Sequence, residues 1–510
     1  MMDKKIYIQR PYITRENDLF RINALVTENG VDHLLFAEVE EQYAKYLCKE
    51  RADAFLYLVL PVALREGYDI YSEVPVTENF LHNINEILIP HLVMGDNKIH
   101  PIHIFAQTEN ELIGGSAIST AISCGVDSLY TVKQYTDNKY SGLQLTHLFI
   151  ASVNAELWDT KNGDLHQWEK EHKIQFDRYN VVSNELQLPL VKIYTNFFWY
   201  ICSRDWKVYH HLYVHHYITL ATVLILKKLW KVYFFSSASP YTIFDLKDNA
   251  TQDTDRHELL SMHVLSTQDF LCFSGGIKAD RIKKTLELAD YPLAQKTLHP
   301  CHGNGEKNCS NPTCHKCLRA LLVYDYYDKL DNMGEVFDIE RYRRERKHYL
   351  WRLVQYHENE FMKKLYDMFC EKFPEDMKSV EENYNRFILP VPRSEYNLLK
   401  QSYDFSLELI GKDNLKGILV KFFEIKGIHT LYCAGFSLLG KKIVEMISKS
   451  IKCHTYKDST VIDCDAALIL DTNEKAIKTK KKILYERGAQ YIYDLNDLKK
   501  HIKGCYNHEG

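Results

Sequence analysis

An apolar run, Ile118 to Ile122, passes directly into Ser123-Cys124-Gly125-Val126-Asp127-Ser128 and then into Leu129-Tyr130-Thr131-Val132. The first stretch reads as a short buried strand, the second as a tight polar turn, the third as the opening turns of a helix. Strand, turn and helix start together make an anion cradle. Backbone N–H groups at a helix N-terminus have no partner within the helix, and the helix dipole favours negative charge there. Gly125 lets the backbone approach a ligand closely, and Ser123 and Ser128 add hydroxyl donors. Asp127 is out of place in a pure phosphate nest. A carboxylate repels phosphates unless a cation sits between them, which points to Mg²⁺. Cys124 carries a Cβ, so the turn is expected to keep φ negative there. The plain alternative is a serine-rich turn joining an ordinary strand and helix.

The segments that follow alternate in the same way. Leu145 to Val153 reads as a second strand, Trp168 to Leu186 as a helix and Pro189 to Tyr194 as a third strand. Val214 to Trp230 reads as a helix feeding a fourth strand, Val232 to Phe235, which ends at Ser236-Ser237-Ala238-Ser239-Pro240. Strands alternating with helices predict an α/β fold with a parallel sheet covered on both faces. Ligands in such sheets bind beyond the carboxyl ends of the strands, where the hexapeptide, Ser152 to Asn154 and Ser236-Ser237 all fall.

A second constellation lies downstream. Cys301, Cys309, Cys314 and Cys317 are spaced C-x7-C-x4-C-x2-C, among the turn formers Gly303, Asn304, Gly305, Asn308, Ser310, Asn311 and Pro312. Four thiolates gathered by tight loops suit a closed, structural, tetrahedral Zn²⁺. His302 or His315 can replace one ligand; a disulfide pair or unrelated buried cysteines are the alternatives. The 510 residues allow three or four domains. A net charge of −4 gives no general attraction to nucleic acid. No signal peptide is apparent, and apolar stretches such as Ile218 to Leu226 are too short to span a bilayer. A cytoplasmic protein with reduced thiols is expected, and in that compartment disulfides are disfavoured.

The hexapeptide resembles the S-G-G-x-D-S PP-loop of the ATP pyrophosphatases, with Cys124 at the first glycine. The order of parts is similar to the 7-cyano-7-deazaguanine synthase branch, in which a four-cysteine zinc site closes the PP-loop domain. More closely, it looks like a bacterial group of relatives of that branch. The matching tail is Ala279-Asp280-Arg281-Ile282-Lys283-Lys284, Leu298-His299-Pro300-Cys301, Asn308-Cys309 and Cys314-His315-Lys316-Cys317-Leu318-Arg319. The resemblance covers roughly residues 1 to 331, and Ser310 to Thr313 lengthens one zinc loop. It implies cleavage of ATP to AMP and pyrophosphate, with a carboxylate or similar group adenylated and then attacked by ammonia, an amine or a thiol. It places ATP against Ser123, Cys124, Gly125, Val126, Asp127, Ser128, Ser152 and Ser236. Asp127, Arg281 and Lys284 become the catalytic candidates, the two cations to balance charge on departing pyrophosphate. A solvated basic helix face is the plain reading of Arg281 and Lys284.

Other features carry less. His210, His211, His215 and His216 crowd one helix start, with His211 and His215 at metal-binding spacing; ordinary surface or core histidines are the simpler reading. His216 is a candidate substrate contact. Asp253-Thr254-Asp255-Arg256-His257-Glu258 reads as a solvated polar loop. Cys202 and Cys272 read as buried and inert. A persulfide-carrying role for Cys124 is conceivable, since a helix N-terminus lowers a thiol pKa.

Around the PP-loop unit (111–331), residues 1–110 read as an N-terminal α+β domain and 332–415 as a helical connector. Its basic run Arg341 to Lys347 is expected to form a salt-bridged face rather than an RNA contact. Residues 416–510 have a Rossmann-like rhythm, with strands at His429–Ala434, Ala466–Leu470 and Tyr491–Tyr493. Only Gly435 and Gly440 remain of a dinucleotide fingerprint. A tRNA-modifying PP-loop enzyme and an ATP-binding regulatory or defence module are the alternatives to a C–N-bond-forming ligase. The substrate is a small molecule, peptide or protein.

Overall fold

The computed structural model describes residues 4–387 except 113, 138, 154–162, 203, 205, 207–209, 248–252, 302 and 304. Beyond 387 it describes chiefly 428–434, 450–455, 466–469, 480–482 and 491–494. The turn at Gly435–Gly440 and most of the helix expected at Lys441–Ser450 lie outside the described residues, as do Asn154 and His302. The chain forms two compact units, Met1–Glu381 and Glu382–Gly510.

The first unit is built on one sheet of eleven strands. In chain order the strands of this unit are β1 (Lys5–Ile8), β2 (Tyr12–Glu16), β3 (Leu19–Glu28), β4 (Val31–Glu40), β5 (Asp69–Ser72), β6 (Val76–Thr77), β7 (Ile104–Phe105), β8 (Thr108–Glu109), β9 (Ala117–Ala121), β10 (His147–Ala151), β11 (Leu190–Thr195), β12 (Trp230–Ser236) and β13 (Leu271–Gly275). β6 and β8 pair with each other outside the large sheet. Five strands run parallel in the order β13-β12-β9-β10-β11. Their runs of Val, Ile, Phe and Tyr are mostly buried, as strands covered on both faces require. This is the α/β class with a mostly parallel central sheet.

The chain builds β9, β10 and β11 outward in one direction and then returns to lay β12 on the far side of β9. The order therefore reverses between β9 and β12. In open α/β sheets the crevice opens at such a reversal, outside the carboxyl ends of the strands.

The sheet does not stop at β11. β4 pairs with it antiparallel, Tyr194 facing Glu38 and Thr195 facing Ala37, and β3, β1, β5 and β7 continue outward. One hydrophobic core runs through both parts, from Ile6, Ile22 and Leu35 to Val191, Tyr233 and Leu265. The apolar stretch from Ala54 to Val62 belongs to a helix, Asp53–Glu66, nearly all of whose side chains are buried. Buried Lys227 ties this helix to the rest: its Nζ lies 3.3 Å from Asp53 Oδ2 and 3.2 Å from Glu111 Oε1.

After the cysteine segment, helices Ile339–Gln355, Glu360–Lys372 and Pro374–Phe387 follow one another. Arginines of the basic run are ion-paired as expected: Arg343 with Asp331 and Glu340, Arg346 with Asp325 and Asp376. In the second unit, β14 (Thr430–Ala434), β15 (Lys452–Thr455), β16 (Ala466–Ile469) and β17 (Ile492–Asp494) form a parallel sheet ordered β15-β14-β16-β17. No helix among the described residues is long and apolar enough to cross a membrane.

Candidate functional site

The hexapeptide sits at the carboxyl end of β9, at the reversal of strand order. The helix Val126–Thr136 starts immediately after Gly125, and no side chain caps its N-terminus. The two serines close the turn on itself: Ser123 Oγ accepts the Gly125 N–H at 3.3 Å and lies 3.1 Å from Ser128 Oγ, which donates to Gly125 O at 3.2 Å. A Cβ at Gly125 would lie 3.3 Å from Ser123 Oγ, so the closed turn is drawn around a glycine.

Cys124 departs from expectation. Its φ is +54°, in the left-handed region, not the negative φ that its Cβ led us to expect. Here L residues with a Cβ are strained by about 1–2 kcal/mol. The turn is held from outside, because the His299 N–H donates to Cys124 O at 2.7 Å. The thiol is fully buried, and burial pushes its pKa up to about 12. The expected lowering by the helix N-terminus is overridden, because desolvation of a thiolate outweighs the dipole. Burial thus holds Cys124 as a neutral thiol in this fold.

Both candidate cations reach Asp127. Arg281 Nη2 lies 2.8 Å from Asp127 Oδ2, and Lys284 Nζ 3.5 Å from Oδ1. They come from one helix, Arg281–Leu288, capped by Asp280, whose carboxylate accepts the Lys283 N–H and pairs with Lys364 of the following helices. Lys284 is wholly buried and donates to Ser237 O at 2.6 Å. Burial lowers its pKa, against the pull of Asp127. Arg281 also donates to Ala238 O at 3.3 Å, while its Nε has no hydrogen-bond partner. Loop and helix are thus clamped between the ends of β9 and β12. Gly275, ending β13, makes the fit possible: a Cβ there would lie 2.6 Å from Thr131 Cγ2.

The two remaining serines are bound into the sheet. Ser152 Oγ donates to Thr195 O at 3.2 Å and accepts the Thr195 N–H at 2.7 Å. Its hydroxyl splices β10 to the end of β11. Ser236 Oγ lies 3.1 Å from Thr120 Oγ1, pinning β12 to β9.

Cys301, Cys309, Cys314 and Cys317 converge, their sulfurs all within 4.8 Å of one another. Cys309 Sγ and Cys317 Sγ are 3.6 Å apart, Cys301 Sγ and Cys314 Sγ 4.0 Å. These are not disulfides, and they bracket the edge of about 3.8 Å that four sulfurs about 2.3 Å from one Zn²⁺ would have. The four-cysteine group can hold a metal ion and is compatible with zinc. His315 instead stacks edge-on against Tyr356.

The cysteine loop is fastened to the cradle. Buried Asn308 donates to Leu298 O and Val336 O and accepts the Cys301 N–H. Arg178 donates to Gly305 O and Glu306 O, and the neighbouring His299 supplies the bond to Cys124 already described. In the sequence Arg319 belongs only to the resembling tail and carries no assigned role; it follows the last cysteine on the helix His315–Tyr326. Burial and the nearby Arg281 depress it to about 10, with Asp127 and Cys314 opposing. It lies within the electrostatic reach of the cradle, and only its position after Cys317 could have signalled that.

The histidine segment and the polar 253–258 loop, read separately in sequence, meet in space. His215 and His216 face Asp255, and His216 also faces Glu258. The 253–258 stretch is not a solvated loop: His257 and Glu258 are buried, which pushes His257 down to about 3 and Glu258 up to about 8. Compared with family models, with curated proteins and with solved structures, the chain gives no match.

Proposed function

We propose that the protein is a PP-loop enzyme that cleaves ATP to AMP and pyrophosphate, adenylating a carboxylate or similar group for attack by ammonia, an amine or a thiol. The observation that carries this reading is the pairing of an open helix N-terminus with two convergent cations, Arg281 and Lys284, on Asp127 at the reversal of strand order. The cradle resembles a PP-loop, and the four-cysteine cluster beside it resembles that of the 7-cyano-7-deazaguanine synthase branch.

In this reading a substrate oxygen attacks the α-phosphorus, the bond to the β-phosphate oxygen breaks, and pyrophosphate leaves with the electron pair. The N–H groups of Asp127 and Ser128 hold phosphate oxygens, and Arg281 and Lys284 balance charge on the leaving group. The nucleophile then displaces AMP from the acyl carbon. Mg²⁺, held by Asp127, would neutralise phosphate charge. In the structure that carboxylate is already balanced by Arg281 and Lys284, so the phosphates must share or displace one of these partners.

The test is product analysis of Mg-ATP incubated with the protein and a host metabolite extract, with Asp127→Ala alongside. AMP and pyrophosphate above the variant are expected. ADP and phosphate would sink the mechanism. Nucleotide binding without turnover in any extract would favour a regulatory ATP module. A tRNA-modifying role predicts a tRNA mobility shift that weakens steeply with salt.

A further inference from the structure

The cluster where the helix His210–Ile225 meets residues 254–258 has no part in the proposed reaction. His215 Nε2 lies 3.2 Å and His216 Nε2 3.5 Å from one oxygen, Asp255 Oδ1, and Glu258 Oε2 is 3.8 Å from His216 Nε2. Ligand atoms about 2.0–2.1 Å from a shared tetrahedral ion lie about 3.4 Å apart, and the first two separations fit that spacing.

The direction of the hydrogen bonds sharpens this. Thr254 Oγ1 spends its only proton on Leu212 O, at 3.0 Å. With that proton on Leu212 O, the hydroxyl accepts from His215 Nδ1, also at 3.0 Å. The ring proton of a neutral His215 is then on Nδ1, and the Nε2 lone pair points at the Asp255 carboxylate. Two acceptors at 3.2 Å need a cation between them. A proton answers for one such contact. His216 Nε2 approaches the same oxygen, and Glu258, 2% exposed, stands beside it, so one divalent ion could serve all of these groups together. Thr254 on His215, and Ser239 donating to Asp255 Oδ2 at 3.4 Å, are the outer hydrogen bonds that orient metal ligands.

We propose that His215, His216 and Asp255, with Glu258 beside them, bind a divalent first-row transition-metal ion at a site separate from the four-cysteine cluster. Imidazole donors select such ions over Mg²⁺ and Ca²⁺, which favour all-oxygen sites. His215 and Asp255 keep 16% and 11% side-chain exposure, a route in from solvent.

The test uses the full chain purified without chelators, with elemental analysis of wild type, His215→Gln and Asp255→Asn after Zn²⁺ loading and desalting. Wild type is expected to hold one metal equivalent per chain more than either variant. Co²⁺ loading should show d–d absorption that the variants lose, while the thiolate charge-transfer band of the cysteine cluster is unchanged. Equal metal content in wild type and folded variants overturns the proposal, as does wild type that takes up no metal. Should circular dichroism show that neither variant folds, X-ray absorption at the edge of the wild-type metal decides. Nitrogen and oxygen scatterers are expected, and a shell of sulfur alone overturns the site.

Discussion

Cys124 holds a φ of +54° in the middle of the cradle turn, and the His299 N–H, 175 positions away in the chain, donates to its carbonyl. A β-branched side chain tolerates that φ least, so Cys124→Val is expected to lower unfolding free energy by about 2 kcal/mol, read from the denaturant midpoint. If the proposed reaction holds, Cys124→Gly should keep ATP cleavage, since the buried neutral thiol takes no step in it. The wild-type thiol, fully buried, should resist iodoacetamide in a mass-mapped alkylation while the exposed Cys309, kept metal-free, reacts. Lys284 gives a pH dependence. Burial lowers its folded pKa below the ordinary lysine value, so in the window between them the unfolded chain binds more protons. Stability attributable to this residue should therefore rise with pH across that window. Lys284→Met should flatten the slope in denaturant titrations and cut pyrophosphate release by about 10²–10³-fold.

At the level of elements, the parallel strands were legible because buried β-branched and aromatic runs end at turn formers. Their edges moved by a few residues, as with β10 at His147–Ala151 inside the longer run 145–153. The expected helix Trp168–Leu186 is two helices, Leu165–Glu171 and Lys173–Leu186, broken at His172. β13 was not legible: Leu-Cys-Phe-Ser-Gly is short, and Phe273 stays 40% exposed, so it lacks a buried run. Ser152 shows an element-level duty that its position at a strand end conceals. Ser152→Ala leaves the buried Thr195 N–H and C=O short of partners and is expected to cost about 1–3 kcal/mol. Thermal unfolding with nucleotide titration checks this; a fall in affinity with no fall in stability would mean that the hydroxyl serves the ligand. The cysteine loop is coupled to the cradle through His299 and Arg178, so Cys317→Ser should both lower the melting temperature and weaken nucleotide binding, measured on the same sample.

For the molecule as a whole, the sheet that runs from β13 to β7 decides what can fold separately. A fragment of residues 1–381 retains the eleven-stranded sheet, its core and the cradle, and is expected to fold alone and to keep whatever nucleotide activity the full chain shows, read by thermal unfolding and product analysis side by side. Residues 111–331 alone would leave the β11 edge bare and lose the helix Asp53–Glu66 from the core, and should aggregate on expression. The buried Lys227 network spans the same junction. Lys227→Met strands Asp53 and Glu111 without their cation and should cost about 3–5 kcal/mol by equilibrium unfolding.

The sequence by itself determined the α/β rhythm, the strand–turn–helix of the cradle, and the four cysteines as one group. Each is written in local periodicity, in turn chemistry, or in a spacing short enough to read along the chain. Tertiary structure alone decided that β12 lies beside β9, that Arg281, Lys284 and Arg319 gather near Asp127, and that His215 and His216 meet Asp255. Those contacts join residues that chain distance keeps apart, and their energies come from burial and charge pairing that exist only once the sheet has assembled.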